Sequence, residues 1–306
     1  MTIVCATHFS DTSFAAARVA AQLAKTHREP LWLIEILAPT STSVTGSSSA
    51  APVSAGLAKE AAAAAKLGVA VSTATVFGPL VRAARQFCTE KQAGLMVVGD
   101  PDRTLGPLVV GPLDRFADRL SVPVLIVRDS QPFEAWASGS APLRVMVALD
   151  RTWHSTSACE WIAGLAKYGA IDLFASYLWW PKDENERRAW SVTSGQSPNR
   201  AESQRLWTDA ANAFGSLPAN VRRRVRLEAG RPHVGPQLLK LATAEHVDVF
   251  VLGTHAHRGP VGQQWSVSHE VLALAPMSVA CIPEPQATRP AARRISADAH
   301  LFDRAG

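Results

Sequence analysis

The chain has 306 residues, 47% hydrophobic and 19% charged, which is enough apolar material for two buried cores and a length that suits two domains of about 150 residues each. Its net charge of +5 is spread evenly, with +2 over residues 1–129, +2 over 143–284, +2 over 285–306 and −1 from Glu134; a nucleic-acid binder concentrates basic side chains on one face, so that class is set aside. No run approaches the roughly 18 apolar residues of a membrane span, no basic-then-apolar secretory pattern opens the chain, and Cys5, Cys88, Cys159 and Cys281 lack the C-x-x-C spacing of a zinc or redox site, so a cytoplasmic protein without a membrane partner is expected.

In chain order, the first half reads as strand 2–7, helix 11–27, strand 31–37, helix 54–67, strand 69–76, helix 79–91, strand 94–99, helix 112–120 and strand 123–128. A polar low-complexity stretch, Pro39 to Ser49, separates the second strand from its helix. The second half repeats the order: strand 143–149, helix 154–168, strand 171–177, helix 199–215, strand 221–229, helix 232–245, strand 247–253, helix 266–275 and strand 278–283. Residues 130–142 carry Pro132, Gly139 and Pro142 among small residues and read as a linker. Residues 285–306, rich in Ala, Arg and Pro without period, read as a disordered tail.

The strands are near-continuous apolar runs, as expected when helices cover both faces of a parallel sheet. Strict strand–helix alternation then gives a doubly wound α/β fold in each half. Self-similarity at half the chain length, with Leu95-Met96-Val97-Val98-Gly99 returning as Val249-Phe250-Val251-Leu252-Gly253, means two such units in tandem: domain 1 over 1–129 and domain 2 over 143–284.

In the second half, Val251-Leu252-Gly253-Thr254-His255-Ala256-His257-Arg258-Gly259 is followed by Ser266 to Pro276. In the first, Val97-Val98-Gly99-Asp100-Pro101-Asp102-Arg103 is followed by Gly111-Pro112 and Pro123 to Val127. With the openings Ala6-Thr7-His8-Phe9-Ser10 and Ala148-Leu149-Asp150-Arg151-Thr152, the chain resembles the universal stress protein family in its tandem, two-domain type. The resemblance implies two five-stranded parallel sheets of order 3-2-1-4-5, a Rossmann-like fold of the adenine nucleotide alpha hydrolase kind. In one branch of the family it also implies ATP at the strand carboxyl ends, held by G-x2-G-x9-G-[S/T] after strand four. Ligands of open α/β sheets do sit where strand order reverses, here between the ends of strands one and four, and glycines there let the backbone reach a phosphate.

Both copies depart from that pattern. The first keeps Gly99, but Asp102 replaces the second glycine, Gly111-Pro112 arrives one residue early, and His8 stands where the family has an acidic residue; Asp100 and Asp102 would set carboxylates beside a triphosphate. In the second, Asp150, Gly253, Thr254, His255, Arg258 and Ser266 are the candidate nucleotide-binding residues, but Ala256 and Trp265 replace glycines. Trp153, Trp179, Trp180 and Trp265 follow strand carboxyl ends, where they either plug the cleft, make it an apolar pocket for another small molecule, or cover helix–sheet seams or a dimer contact.

His255 and His257 with His154 lack a carboxylate or cysteine partner for a metal, and neither half shows a nucleophile elbow, so no catalytic or metal residues are expected. Arg222, Arg224 and Arg226 fall on an edge strand, where charge discourages pairing with another chain. The apolar fifth strands, 122–127 and 277–282, lie at the other edge of each sheet, which predicts that the halves meet there as an intramolecular pseudo-dimer, with a homodimer open. The function expected is a non-catalytic stress-response protein that binds a protein or small ligand with degraded nucleotide sites and no cofactor. The alternative is an ATP-binding switch or weak ATPase using the second site, with Asp150 toward the nucleoside and the Gly253–Ser266 loop toward the phosphates.

Overall fold

Successive residues of a strand face opposite sides of its sheet, and along Ile3-Val4-Cys5 both sides are apolar and buried, so each strand needs helices above and below. The computed structural model describes residues 2–37, 54–100, 119–149, 153–179, 200–219, 221–229, 234–254 and 267–283. Over these the first half runs β1 (Thr2–Thr7), α1 (Asp11–His27), β2 (Leu31–Leu37), α2 (Ala55–Ala65), β3 (Val71–Phe77), α3 (Leu80–Glu90), β4 (Ala93–Gly99) and β5 (Val124–Val127). After α4 (Gln131–Ala137) the second half runs β6 (Leu143–Leu149), α5 (Trp153–Ala166), β7 (Ile171–Trp179), α6 (Arg200–Ala213), a 3-10 turn (Phe214–Ser216), β8 (Arg222–Ala229), α7 (Val234–Ala244), β9 (Val249–Thr254), α8 (Val267–Leu274) and β10 (Ser278–Pro283). The expected helix 112–120, the stretch 39–49 and the tail 285–306 fall almost wholly outside the described residues.

The strands form one ten-stranded sheet, β3-β2-β1-β4-β5-β10-β9-β6-β7-β8. The first half has the order 3-2-1-4-5, and the second is its mirror in sequence. Every neighbouring pair is parallel except β5 and β10, which pair antiparallel through Val279↔Ile126, Ala280↔Leu125 and Cys281↔Val124. Leu125 and Ala280 are equivalent in the two repeats, so a local two-fold passes between them. One apolar layer joins α1, α2, α4, α5 and α6 to Cys5, Leu125, Val147 and Ala280. The other joins α3, α7 and α8 to Val4, Ile126, Met146 and Cys281. Both layers run unbroken across the seam.

The outermost strands differ in chemistry. On β8, Arg222, Arg223, Arg224 and Arg226 are exposed, and Arg224 reaches Glu245 and Asp172 and lies over the Phe174 ring. On β3, the opposite outer strand, Ser72, Thr73 and Thr75 carry no charge.

The segment 130–142 is more than a connector. Composition alone suggested a linker, but Phe133 and Trp136, one helical turn apart, place α4 against α1 with both rings buried. Pro132 sits in the first turn of this helix, where a missing N–H does no harm. Trp136 lies so close to Gly169 that a Cβ there would fall 2.3 Å from the indole Nε1, and Arg18 of α1 donates to Glu134 at 2.8 Å. Trp136→Ala is expected to lower the unfolding free energy by about 3–5 kcal/mol, the usual loss for a buried aromatic. Urea denaturation checks this, and a change below about 1 kcal/mol would mean that α4 is dispensable.

Candidate functional site

The crevice between β1 and β4 in the first half is bounded by the turn that leads from β1 into α1. Ser10 caps α1, its hydroxyl accepting from Ser13 N–H at 3.2 Å, and Asp11 in the first turn complements the helix dipole. Phe9 bends the chain with φ 65°, a left-handed conformation that costs a side-chain-bearing residue roughly 1–2 kcal/mol. Two contacts hold it: Phe9 N–H donates to Thr7 Oγ1 at 3.2 Å, and the ring lies on Gly56, where a Cβ would fall 2.9 Å from it.

The polar groups of this turn bond to one another. Ser13 Oγ and His8 Nδ1 are 2.7 Å apart, Ser10 Oγ lies 3.0 Å from Thr12 Oγ1, and Thr12 donates to the Asp100 carbonyl at 2.6 Å. Gly99 does have a close backbone neighbour, but it is the chain itself: a Cβ there would fall 2.5 Å from the Thr12 carbonyl group. The first turn of α1 thus presses against the end of β4.

Asp100 does not stand as a bare carboxylate beside this crevice, as the sequence suggested. Arg128 Nε donates to its Oδ2 at 2.7 Å, with the two side chains only 7% and 12% exposed. The remaining nitrogens of the guanidinium donate to the Met277 and Leu272 carbonyls at 2.8 and 2.7 Å, and Arg128 N–H reaches Ser278 Oγ at 3.1 Å. One side chain therefore neutralises Asp100, caps the last turn of α8 and binds the start of β10. Asp102 lies outside the described residues.

In the second half, Gly253 and Thr254 end β9, between β6 and β10. Thr254 is buried, its hydroxyl 3.4 Å from the Ile282 carbonyl it donates to. Asp150, His255, Ala256, His257, Arg258, Trp180, Trp265 and Ser266 lie outside the described residues, as do the side chains of Trp153, His154 and Trp179. Sequence reasoning missed Glu270 of α8, which receives the Gly235 N–H at the start of α7 at 2.9 Å. No Cβ would fit at Gly235 against it, so a carboxylate of the chain itself serves the positive end of α7. The one available signal was a glycine just inside a predicted helix start.

Below the first crevice, Thr7 Oγ1 donates to Glu60 Oε1 at 2.8 Å. Glu60 is 3% exposed, and its Oε2 has no hydrogen-bond partner among the described residues. Burial pushes its carboxyl above the usual carboxylate range, against the opposing pull of the Thr7 hydrogen bond. The four cysteines are buried free thiols; burial raises Cys88 and Cys159 to about 12 and Cys5 higher still, so these three offer no thiolate nucleophile at neutral pH. Among the described residues no group of three His, Cys, Asp or Glu side chains is placed to hold a metal, and no helix is long and apolar enough to cross a membrane.

Two outcomes follow. Arg128→Met takes the guanidinium away from the nearly buried Asp100 carboxylate, which is expected to destabilise the protein by about 3–5 kcal/mol; adding Asp100→Leu should recover part of that loss in the same denaturation assay, and equal losses in the single and double variants would show that the pair itself carries nothing. For Glu60 the sign runs the other way from a salt-bridged acid. A carboxyl whose folded pKa exceeds its unfolded value favours the native state while protonated and loses that contribution as pH rises through the folded pKa. Wild-type stability should therefore fall relative to Glu60→Gln as pH climbs through the carboxylate range to neutrality, and parallel stability–pH curves would refute the burial effect.

Residues 1–128 match the universal stress protein family. Across 94% of this chain and 97% of its own, the crystal structure of a universal stress protein from Archaeoglobus fulgidus DSM 4304 superimposes with a TM-score of 0.65 at 14% identity. A functionally unknown protein from Pseudomonas aeruginosa PAO1 superimposes over 93% of this chain and 92% of its own, with a TM-score of 0.59 at 16% identity. At such identities the likeness is one of fold, and it spans both halves. No curated protein matches the chain. Residues 1–128 are thus the part of the chain that matches the universal stress protein family, and both halves share its fold.

Proposed function

We propose that this chain is a non-catalytic, cytoplasmic stress-response protein of the tandem universal stress type, an intramolecular pseudo-dimer that acts by binding a protein or small ligand, with nucleotide crevices that have lost their ligand. The observation that carries this reading is the contact between Gly99 and the Thr12 backbone. Glycine at the end of strand four serves a phosphate only if the space above it is free, and here the chain's own helix start occupies that space. The hydroxyls that could meet an anion are bonded to His8, to each other and to the Asp100 carbonyl instead. A phosphate entering there would have to break several hydrogen bonds, each contributing about 1 kcal/mol net. In the second half, Ala256 and Trp265 stand where a phosphate loop needs glycine, and an indole cannot let a backbone N–H approach an oxyanion.

The competing reading is an ATP switch that uses the second crevice, where Gly253 and Thr254 lie at the expected strand end. Mass spectrometry of small molecules released from purified protein, followed by calorimetry with Mg·ATP on wild type and Trp265→Gly, separates the two. No stoichiometric nucleotide and no heat on wild type are expected. Stoichiometric ATP, or micromolar affinity in the wild type, overturns the proposal in favour of the switch.

A further inference from the structure

The two outer strands of the sheet are protected unequally. On β8, the exposed arginines discourage another chain from pairing. On β3, Val71-Ser72-Thr73-Ala74-Thr75-Val76-Phe77 holds no charged residue and no proline, so the usual devices that blunt an edge are missing. Phe77, at the end of this strand, is 55% exposed, and Leu37 opposite it on β2 and Leu80 at the start of α3 are exposed as well.

The backbone decides which groups of β3 stand open. Leu31 N–H donates to the Ala70 carbonyl at 3.0 Å, and Gly78 N–H donates to the Leu37 carbonyl at 2.9 Å. The even-numbered residues of β3 therefore turn their N–H and C=O toward β2. Alternate residues point the other way, so these groups of Val71, Thr73, Thr75 and Phe77 face outward, and no described residue bonds to them.

We propose that β3 pairs antiparallel with β3 of a second copy of this chain, carrying the ten-stranded sheet through a closed two-fold dimer. The open groups set the register. With Ala74 on the axis, Val71 faces Phe77 and Thr73 faces Thr75 of the second copy as hydrogen-bonded pairs, and every outward group is met. A register displaced by two residues leaves an end residue of each strand unmet, and one displaced by a single residue sets outward groups against inward ones.

Side chains agree with this register. Phe77 gains the β-branched Val71 as a neighbour on its own face, a favourable cross-strand pair, and the small Ala74 meets itself at the axis. Pairing β8 with β8 would set arginines side by side, and pairing β3 with β8 would leave a free edge at each end and grow a filament. The operation repeats the seam inside the chain, where the equivalent strands β5 and β10 already pair antiparallel. It holds whether or not either crevice takes a nucleotide.

Sedimentation of the full chain at about 100 μM should give twice the mass of one chain, since ordinary protein interfaces reach at least about micromolar affinity. Phe77→Lys, at an exposed position, should weaken the dimer by about tenfold or more. Disulfide trapping reads the register. Ala74 and its counterpart form a non-hydrogen-bonded pair with Cα atoms about 4.5 Å apart, within disulfide range. Ala74→Cys treated with diamide should give a disulfide-linked dimer, whereas Ser72→Cys, which faces Val76 of the second copy, should not. The native cysteines are buried, so wild type treated alike should stay unlinked.

Should Ala74→Cys fail to fold, the mass of the wild type and its response to Phe77→Lys still decide. A monomer at that concentration, a dimer unmoved by Phe77→Lys, a folded Ala74→Cys dimer that does not cross-link, or cross-linking of Ser72→Cys equal to that of Ala74→Cys would each overturn the proposal.

Discussion

A parallel five-stranded sheet whose last strand is apolar on both faces cannot leave that strand at an open margin. Its backbone groups would be unpaired on one side, and its side chains would template another chain. In this molecule β5 and β10 solve the problem for each other. Their antiparallel pairing about Leu125 and Ala280 gives both strands a second neighbour. It also fuses the two helix layers, because alternate residues of each strand enter opposite layers that each contain residues from both halves. Neither half then has a separate core, and what a mutation does at the seam is felt on both sides.

The seam is symmetric in its backbone and asymmetric in its side chains. Arg128 follows β5 and binds Asp100, α8 and β10 together. The equivalent position after the β10 core is Pro283, with Thr254 in the place of Asp100, so no guanidinium returns the contact. A nearly buried ion pair is worth keeping only where its remaining hydrogen-bonding groups are also met. The two carbonyl acceptors of Arg128 meet that condition. His27 stacked on Tyr168 at 4.0 Å and Trp136 lodged on Gly169 tie the halves on the other side of the sheet. The two domains are thus clamped at several points, and Asp100 belongs to the clamp and not to a ligand site.

Sequence periodicity locates every strand of the sheet to within about two residues, because most parallel strands covered on both faces are apolar throughout and have sharp polar ends, as at Thr2–Thr7 and Leu143–Leu149. It failed at α4, where two aromatic residues in a short Pro- and Gly-flanked stretch make too brief a pattern to register as a helix. It read Asp100 as a free carboxylate because the partner, 28 residues away, is brought near only by the β4–β5 pairing. The aromatic ring beside the first crevice, Phe9, was equally out of sight. Nothing in local sequence marks a phenylalanine in left-handed backbone. Glu60 reads as a solvated helix charge until the fold sets it beneath β1.

The first crevice and α2 are joined by one hydroxyl. Thr7 accepts from the Phe9 N–H and donates to Glu60 Oε1, so the strained turn that carries His8 and Phe9 over the end of β1 is fixed at its base by a carboxylate on α2. The Phe9 ring in turn rests on Gly56 at the start of the same helix. Any displacement of α2 must therefore move the turn at two points. The residues that close the first crevice are held by a helix from outside it, so the crevice keeps its shape only while α2 stays docked.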